Sequence, residues 1–85
     1  MNIKNHPRKI NHSERKQSVL KAMAETLDWF SASDLQKRAM MSRDIMDEML
    51  VILLDEGMVA ESVVGCRSYF AITRHGVSAI ITENV

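Results

Sequence analysis

The sequence predicts a mainly α-helical fold with a small β-hairpin, in the order helix, short extended segment, helix, helix, strand, strand, helix. Two observations support this prediction. Apolar residues recur at helical spacing behind hydroxyl residues that can cap a helix, and a later stretch of β-branched residues is divided by a glycine. The 85 residues suit one domain. We expect it over residues 13–85, after a basic flexible arm over residues 1–12.

The first helix is predicted over about residues 13–28. Ser13 is its expected N-cap, and apolar residues follow at helical spacing. These residues are Val19, Leu20, Met23 and Leu27. Trp29 and Phe30 break the pattern, so a short extended segment is expected before Ser31.

Two helices are predicted to follow in close succession. Ser31 and Asp34 match a capping box, which predicts a helix over about residues 32–40. Ser42 is the expected N-cap of the third helix, and Gly57 is its expected C-terminal stop. Two caps this close indicate two short helices joined by a tight turn.

A hairpin and a last helix complete the predicted order. Residues 58–64 and 69–72 are rich in β-branched and small side chains, which predicts two strands. Residues 65–68 lie between them as the expected turn. Thr73 is expected to cap a final short helix.

The central and closing residues form an ordered pattern. Around the two central helices it comprises Ser31, Leu35, Ser42, Met46, Leu50, Leu53, Gly57 and Val59. At the end it comprises Phe70, Ile72, Thr73 and Gly76. Together they resemble the winged helix-turn-helix domain of bacterial and archaeal transcriptional regulators, over about residues 14–82. The resemblance implies that the third helix enters the DNA major groove while the hairpin, or wing, lies near the minor groove or the phosphates.

The formal net charge of zero conceals an asymmetry. Residues 1–21 carry six basic side chains and one acidic side chain, a net charge of +5, whereas residues 22–85 carry five and ten, a net charge of −5. Short basic arms are attracted to nucleic acid, although they can also serve only as solubilising tails. The arm residues expected to contact DNA are Lys4, Arg8 and Lys9.

Two arginines directly follow expected caps. Arg43 follows Ser42 and Arg74 follows Thr73, so each lies at the positive end of a helix, where a cation costs about 0.3–1 kcal/mol. A bound phosphate would remove this cost, and we therefore expect both arginines to contact phosphates of double-stranded DNA. The further expected DNA contacts are Ser42, Lys37, Arg38 and Arg67. The alternative is that Arg43 and Arg74 project into water, or that Arg43 pairs with a neighbouring acid.

The outward side of the third helix is predicted to be acidic. Its core side is expected to carry Met46, Leu50 and Leu53. Its outward side then carries Arg43, Asp44, Asp47, Glu48 and Val51. Carboxylates are repelled by phosphates and bind only the cytosine amino group among the bases, but they also complement the start of a helix dipole.

Two functions remain open for this surface. In a small DNA-binding regulator, base contacts are expected from Arg43, Asp44 and Asp47. Alternatively, the domain is a protein interaction module whose acidic third helix docks a partner without binding DNA.

A second apolar stripe on the third helix contains Ile45, Met49 and Ile52. A small core has little room for it, which predicts an interface with a second copy or with another protein. The alternative is that Met49 and Ile52 reach core space beside the first helix and the hairpin.

Several classes of function lack their sequence signals. Glycine-rich phosphate loops and common hydrolase or zinc motifs are missing, and the one cysteine, Cys66, excludes an intrachain disulfide. The longest apolar run, residues 49–54, is too short to span a membrane, and no apolar run follows the basic residues near the N-terminus, so we expect neither a membrane span nor a signal peptide. We therefore expect no enzymatic activity, no metal or cofactor, and a cytoplasmic location.

Overall fold

Four helices and one hairpin form the domain. A computed structural model describes residues 12–83, with side chains over residues 13–80. Its elements are α1 (His12–Ala24), α2 (Ala32–Ala39), α3 (Arg43–Asp55), β1 (Val59–Val64), β2 (Arg67–Ile72) and α4 (Arg74–Glu83). The predicted fold class and element order are confirmed. Lys4, Arg8 and Lys9, the arm residues expected to contact DNA, lie outside the described residues.

Helix α1 differs from its prediction at both ends. It already includes His12, so Ser13 lies inside the helix and is not its N-cap. It ends at Ala24, before the chain turns to bring Phe30 beside β2. Leu27 lies beyond this end and is 73% exposed, so it does not belong to the helix that was predicted to include it.

The two central helices begin at their predicted caps. The Asp34 amide donates to Ser31 Oγ at 3.1 Å, and the Ile45 amide donates to Ser42 Oγ at 3.3 Å. Between the helices, Met40 adopts the left-handed conformation, with φ 54°, and its side chain is 90% exposed. This left-handed residue ends α2 and forms part of the predicted tight turn to α3.

The hairpin is antiparallel and has a shorter turn than predicted. Arg67 and Ser68 already pair with Val64 and Val63, so that the turn consists of residues 65–66. Phe30 and Phe70 exchange two backbone hydrogen bonds, of 2.8 and 2.7 Å, on the other side of β2. The predicted extended segment is therefore a one-residue bridge to the hairpin.

A joint of three segments holds the base of the hairpin. Thr73 Oγ1 accepts from the Gly76 amide at 3.1 Å and donates to the Gly57 carbonyl at 2.7 Å, while the Thr73 amide donates to the Met58 carbonyl at 3.0 Å. A Cβ on Gly76 would overlap the Met58 carbonyl oxygen and lie 2.7 Å from Ile72 Cγ1. The glycine of the closing pattern is thus required by close packing.

The core lies among α1, α2, α3 and the hairpin. Its largest fully buried side chains are Val19, Leu20, Met23, Leu35, Met46, Met49 and Leu53. Met49, which belongs to the second apolar stripe of α3, is completely buried in the core, so it follows the alternative that the sequence left open and is not part of an exposed interface. Ile45 and Ile52, the other two residues of that stripe, are partly buried against the same core.

Candidate nucleic-acid interface

A groove runs between the start of α2, the first turns of α3 and the tip of the hairpin. Hydroxyl groups and guanidinium groups from all three elements line it, together with one carboxylate. The polar residues are Ser31, Ser33, Arg43, Asp47, Arg67 and Ser68. We call this surface the wing groove. It combines three predicted contact residues, Arg43, Asp47 and Arg67, with three serines that were not predicted to contact DNA.

The bridge between Phe30 and Phe70 creates the wing groove. Phe30 directly precedes Ser31, so its pairing with β2 places the start of α2 beside Ser68. Ser31 is visible in the sequence as a helix cap, but its proximity to Ser68 follows from a pairing 40 residues apart. The available sequence signal was the combination of the cap residues of the central helices with the closing pattern of the hairpin, because together they indicate the fold that brings these serines onto one surface.

Arg43 is paired within α3. Its Nε donates to Asp47 Oδ1 at 2.9 Å, and the two side chains are 55% and 56% exposed. This is the pairing with a neighbouring acid that the sequence left open. One turn of helix separates the two residues, and both line the wing groove. The positive charge of Arg43 therefore compensates one of the carboxylates of α3.

Arg74 lies far from the wing groove. Its neighbour Thr73 bonds to Gly57, at the C-terminal end of α3. Arg43 is at the other end of this 13-residue helix, about 20 Å away. The structure does not bring the two predicted phosphate contacts together.

The other predicted contacts on the central helices occupy different settings. Lys37 and Arg38 are exposed in the last turn of α2, where cations complement the helix dipole. The Arg38 guanidinium lies 4.8 Å from the centre of the Phe30 ring, within cation–π distance. The Ser42 hydroxyl accepts the capping bond from Ile45, so it contributes first to the start of α3.

The outward side of α3 is exposed and acidic, as the helical spacing predicts. Asp44, Asp47 and Glu48 are all exposed. Val51 lies among them and is 66% exposed. At the C-terminal end of α3, Glu56 accepts from Lys16 Nζ through both carboxylate oxygens, each at 3.0 Å, which ties α3 to α1.

The described residues lack a cluster of metal ligands and a membrane-spanning helix. Among residues 12–83, no group of three or more His, Cys, Asp or Glu side chains is placed to hold a metal ion. Within the same range, no helix is long and apolar enough to cross a bilayer. Cys66 is exposed in the hairpin turn, as a free thiol.

The helices, the tight turn and the hairpin with its bridging residue define a winged helix-turn-helix domain. Three solved structures share its fold. They are BpsR of Bordetella bronchiseptica (TM-score 0.75, 16% identity), a MarR family transcriptional regulator from Silicibacter pomeroyi (0.72, 19%) and the transcriptional regulator BldR from Sulfolobus solfataricus (0.71, 20%). BpsR is a protein whose DNA binding is regulated by 6-hydroxynicotinic acid.

The similarity extends over most of this chain and half of each neighbour. The three structures cover 80%, 80% and 82% of this chain, which covers 50%, 46% and 51% of theirs. At these identities the similarity shows the fold. No protein-family model and no curated protein matches the sequence.

Proposed function

We propose that this domain binds double-stranded DNA as a transcriptional regulator, with α3 in the major groove and the wing beside the adjacent backbone. The wing groove is the observation that carries the proposal. Its three hydroxyl groups and the Arg67 guanidinium come from the start of α2 and the tip of the wing, and they line one open surface with the first turns of α3. Such groups make most protein contacts to DNA phosphates, and the neighbouring structures include transcriptional regulators.

The arrangement suits a strand of the DNA backbone. Ser31 and Ser33 lie at the start of α2, where backbone amides and the helix dipole favour an anion. Arg67 and Ser68 lie opposite them, at the tip of the wing. A phosphate strand in the wing groove would contact both sides, and α3 would then lie beside the bases.

Further basic residues are proposed to contact phosphates outside the groove. They are Lys37, Arg38 and Arg74 on the described surface, and Lys4, Arg8 and Lys9 in the arm. Ser42 is also proposed to contact DNA, since it caps the start of α3. A DNA-binding role also implies a cytoplasmic location.

The test measures affinity for mixed-sequence duplex DNA at about 50 mM and 200 mM salt. Each lost phosphate contact should reduce the slope of log affinity against log salt by about 0.9. We expect this change for Arg67→Ala. Lys21→Ala is the control, because Lys21 is exposed on α1 outside the wing groove. Absence of binding by the unmodified protein at both salt concentrations would contradict the proposal.

A second candidate function is a protein interaction module, favoured by the exposure of Val51 among carboxylates. In this function, α3 docks a second copy or another protein. Glu48→Lys separates the two functions, since added positive charge on this exposed side of α3 should tighten binding to any duplex if α3 enters the groove. Val51→Lys and Ile52→Lys, with sedimentation at micromolar concentrations, test self-association. Val51 is exposed whereas Ile52 packs partly against the core, so loss of a dimer in both variants, each shown to be folded by circular dichroism, would place this side of α3 at the interface.

A further inference from the structure

Arg43 and Asp47 lie where the wing groove meets the acidic side of α3. We propose that this pair recognises G·C base pairs in the DNA major groove, with Arg43 bound to a guanine and Asp47 bound to a cytosine amino group. The inference rests on the proposed function, to which it adds base specificity.

The hydrogen bond between the two side chains fixes the orientation of the guanidinium. Arg43 Nε donates to Asp47 Oδ1 at 2.9 Å, which uses one edge of the planar group. The two Nη groups form its other end and present a fork of donors. Such a fork matches the O6 and N7 acceptors of guanine, the commonest base contact made by arginine.

The placement of the pair has little value for stability. Arginine in the first turn lies at the positive end of the helix dipole, and an acid that follows the base by four residues is the less favourable order. More than half of each side chain is exposed, so the solvent screens their attraction. The pair nevertheless presents the two Nη groups of Arg43 at the N-terminal end of α3. The N-terminal residues of a recognition helix are the ones that contact base edges.

Asp47 distinguishes a base contact from a phosphate contact. The Asp47 carboxylate is hydrogen-bonded to the guanidinium, so any group that binds Arg43 also lies near this carboxylate. A phosphate in that position would repel it. In the major groove, the N4 amino group of cytosine donates a hydrogen bond that an aspartate carboxylate can accept. Guanine and cytosine therefore give both members of the pair a suitable partner, whereas a phosphate suits Arg43 alone.

The experiment selects duplexes from a random pool and then measures the affinity of the best sequence. We expect one G·C position whose change to A·T weakens binding by about 5- to 150-fold in the unmodified protein. Replacement of that guanine by 7-deazaguanine, which lacks N7, should also weaken binding. This probe tests the contact without any change to the protein.

Three variants assign the preference to residues. Arg43→Ala should lose most of the preference for the G·C duplex, and Asp47→Asn should lose the smaller part that the cytosine contact contributes. Asp55→Asn is the matched control, since it removes the same charge about 12 Å along α3 from Asp47 and should retain the full preference. Circular dichroism melting confirms that each variant is folded.

The outcomes separate this inference from the proposed function. Equal binding of all duplexes by the unmodified protein would overturn the base assignment alone. The base assignment would also be overturned if Arg43→Ala weakened binding to every duplex equally and kept the preference for G·C. Arg43 would then contact a phosphate. Absence of duplex binding at about 50 mM salt would overturn both.

Discussion

Gly76 tolerates the least change among the described glycines. A Cβ at Gly57 or Gly65 would meet no atom within 4 Å, although both residues have positive φ. At Gly76 the obstacle is the backbone carbonyl of Met58, which cannot rotate away as a flexible side chain can. Close approach rather than an unusual φ therefore explains this glycine.

Gly76→Ala should destabilise the domain by about 1–3 kcal/mol, the usual cost of overpacking. Urea denaturation followed by circular dichroism measures the change. Because alanine has the higher helix propensity, a variant that is more stable than the unmodified protein would show that the contact with Met58 is loose. Ser78→Ala, at an exposed position of α4, should change stability by less than about 0.5 kcal/mol.

Individual residues differ in how well the sequence predicts them. Ser31, Ser42 and Thr73 were predicted as caps, and each accepts a bond from an amide three residues later. These bonds depend on local sequence. Leu27 is exposed because α1 ends before it, and Met49 is buried, which is one of the two outcomes that the sequence left open for it. The exposure of both residues depends on where the chain turns and on what packs against α3.

At the scale of elements, the start of α3 matters most, since it positions both Arg43 and Asp47. The Ser42 hydroxyl satisfies one of the amides that the first turn leaves unpaired. Without it, the first turn should fray and the pair should lose its fixed orientation. Stability and base preference are thus linked through one cap.

Ser42→Ala should lower the free energy of unfolding by about 0.5–2 kcal/mol, the usual cost of losing an N-cap. Ser13→Ala is the matched control. The sequence predicted Ser13 as a cap, but it lies inside α1, where alanine is the better helix former. Thermal melting of both variants provides the measurement, and an equal loss for the two would show that α1 begins after Ser13.

At the scale of the molecule, the charge asymmetry remains the main electrostatic feature. The described surface includes an acidic face on α3, while three basic residues, Lys4, Arg8 and Lys9, precede α1. The local sequence predicted the individual charges of the site. It did not predict the wing groove, because the groove depends on the long-range pairing of Phe30 with Phe70.

Removal of residues 1–11 should weaken binding to all duplexes by a similar factor. The slope of log affinity against log salt should fall by about 0.9 for each arm residue that contacts a phosphate. The preference for the selected sequence should remain, since phosphate contacts carry no direct base information. A salt slope unchanged by truncation would show that the arm is only a solubilising tail.

The joint at Thr73 has a mechanical consequence. Thr73 links the start of α4 to the residues between α3 and β1 through two hydrogen bonds, one to Gly57 and one to Met58. Gly76 of α4 packs so closely against Met58 that no side chain fits between them. The hairpin cannot tilt on a hinge of its own at this point. If α3 and the hairpin bind DNA as proposed, a partner that displaces α4 would shift these two elements together and change the spacing of the whole surface relative to successive grooves.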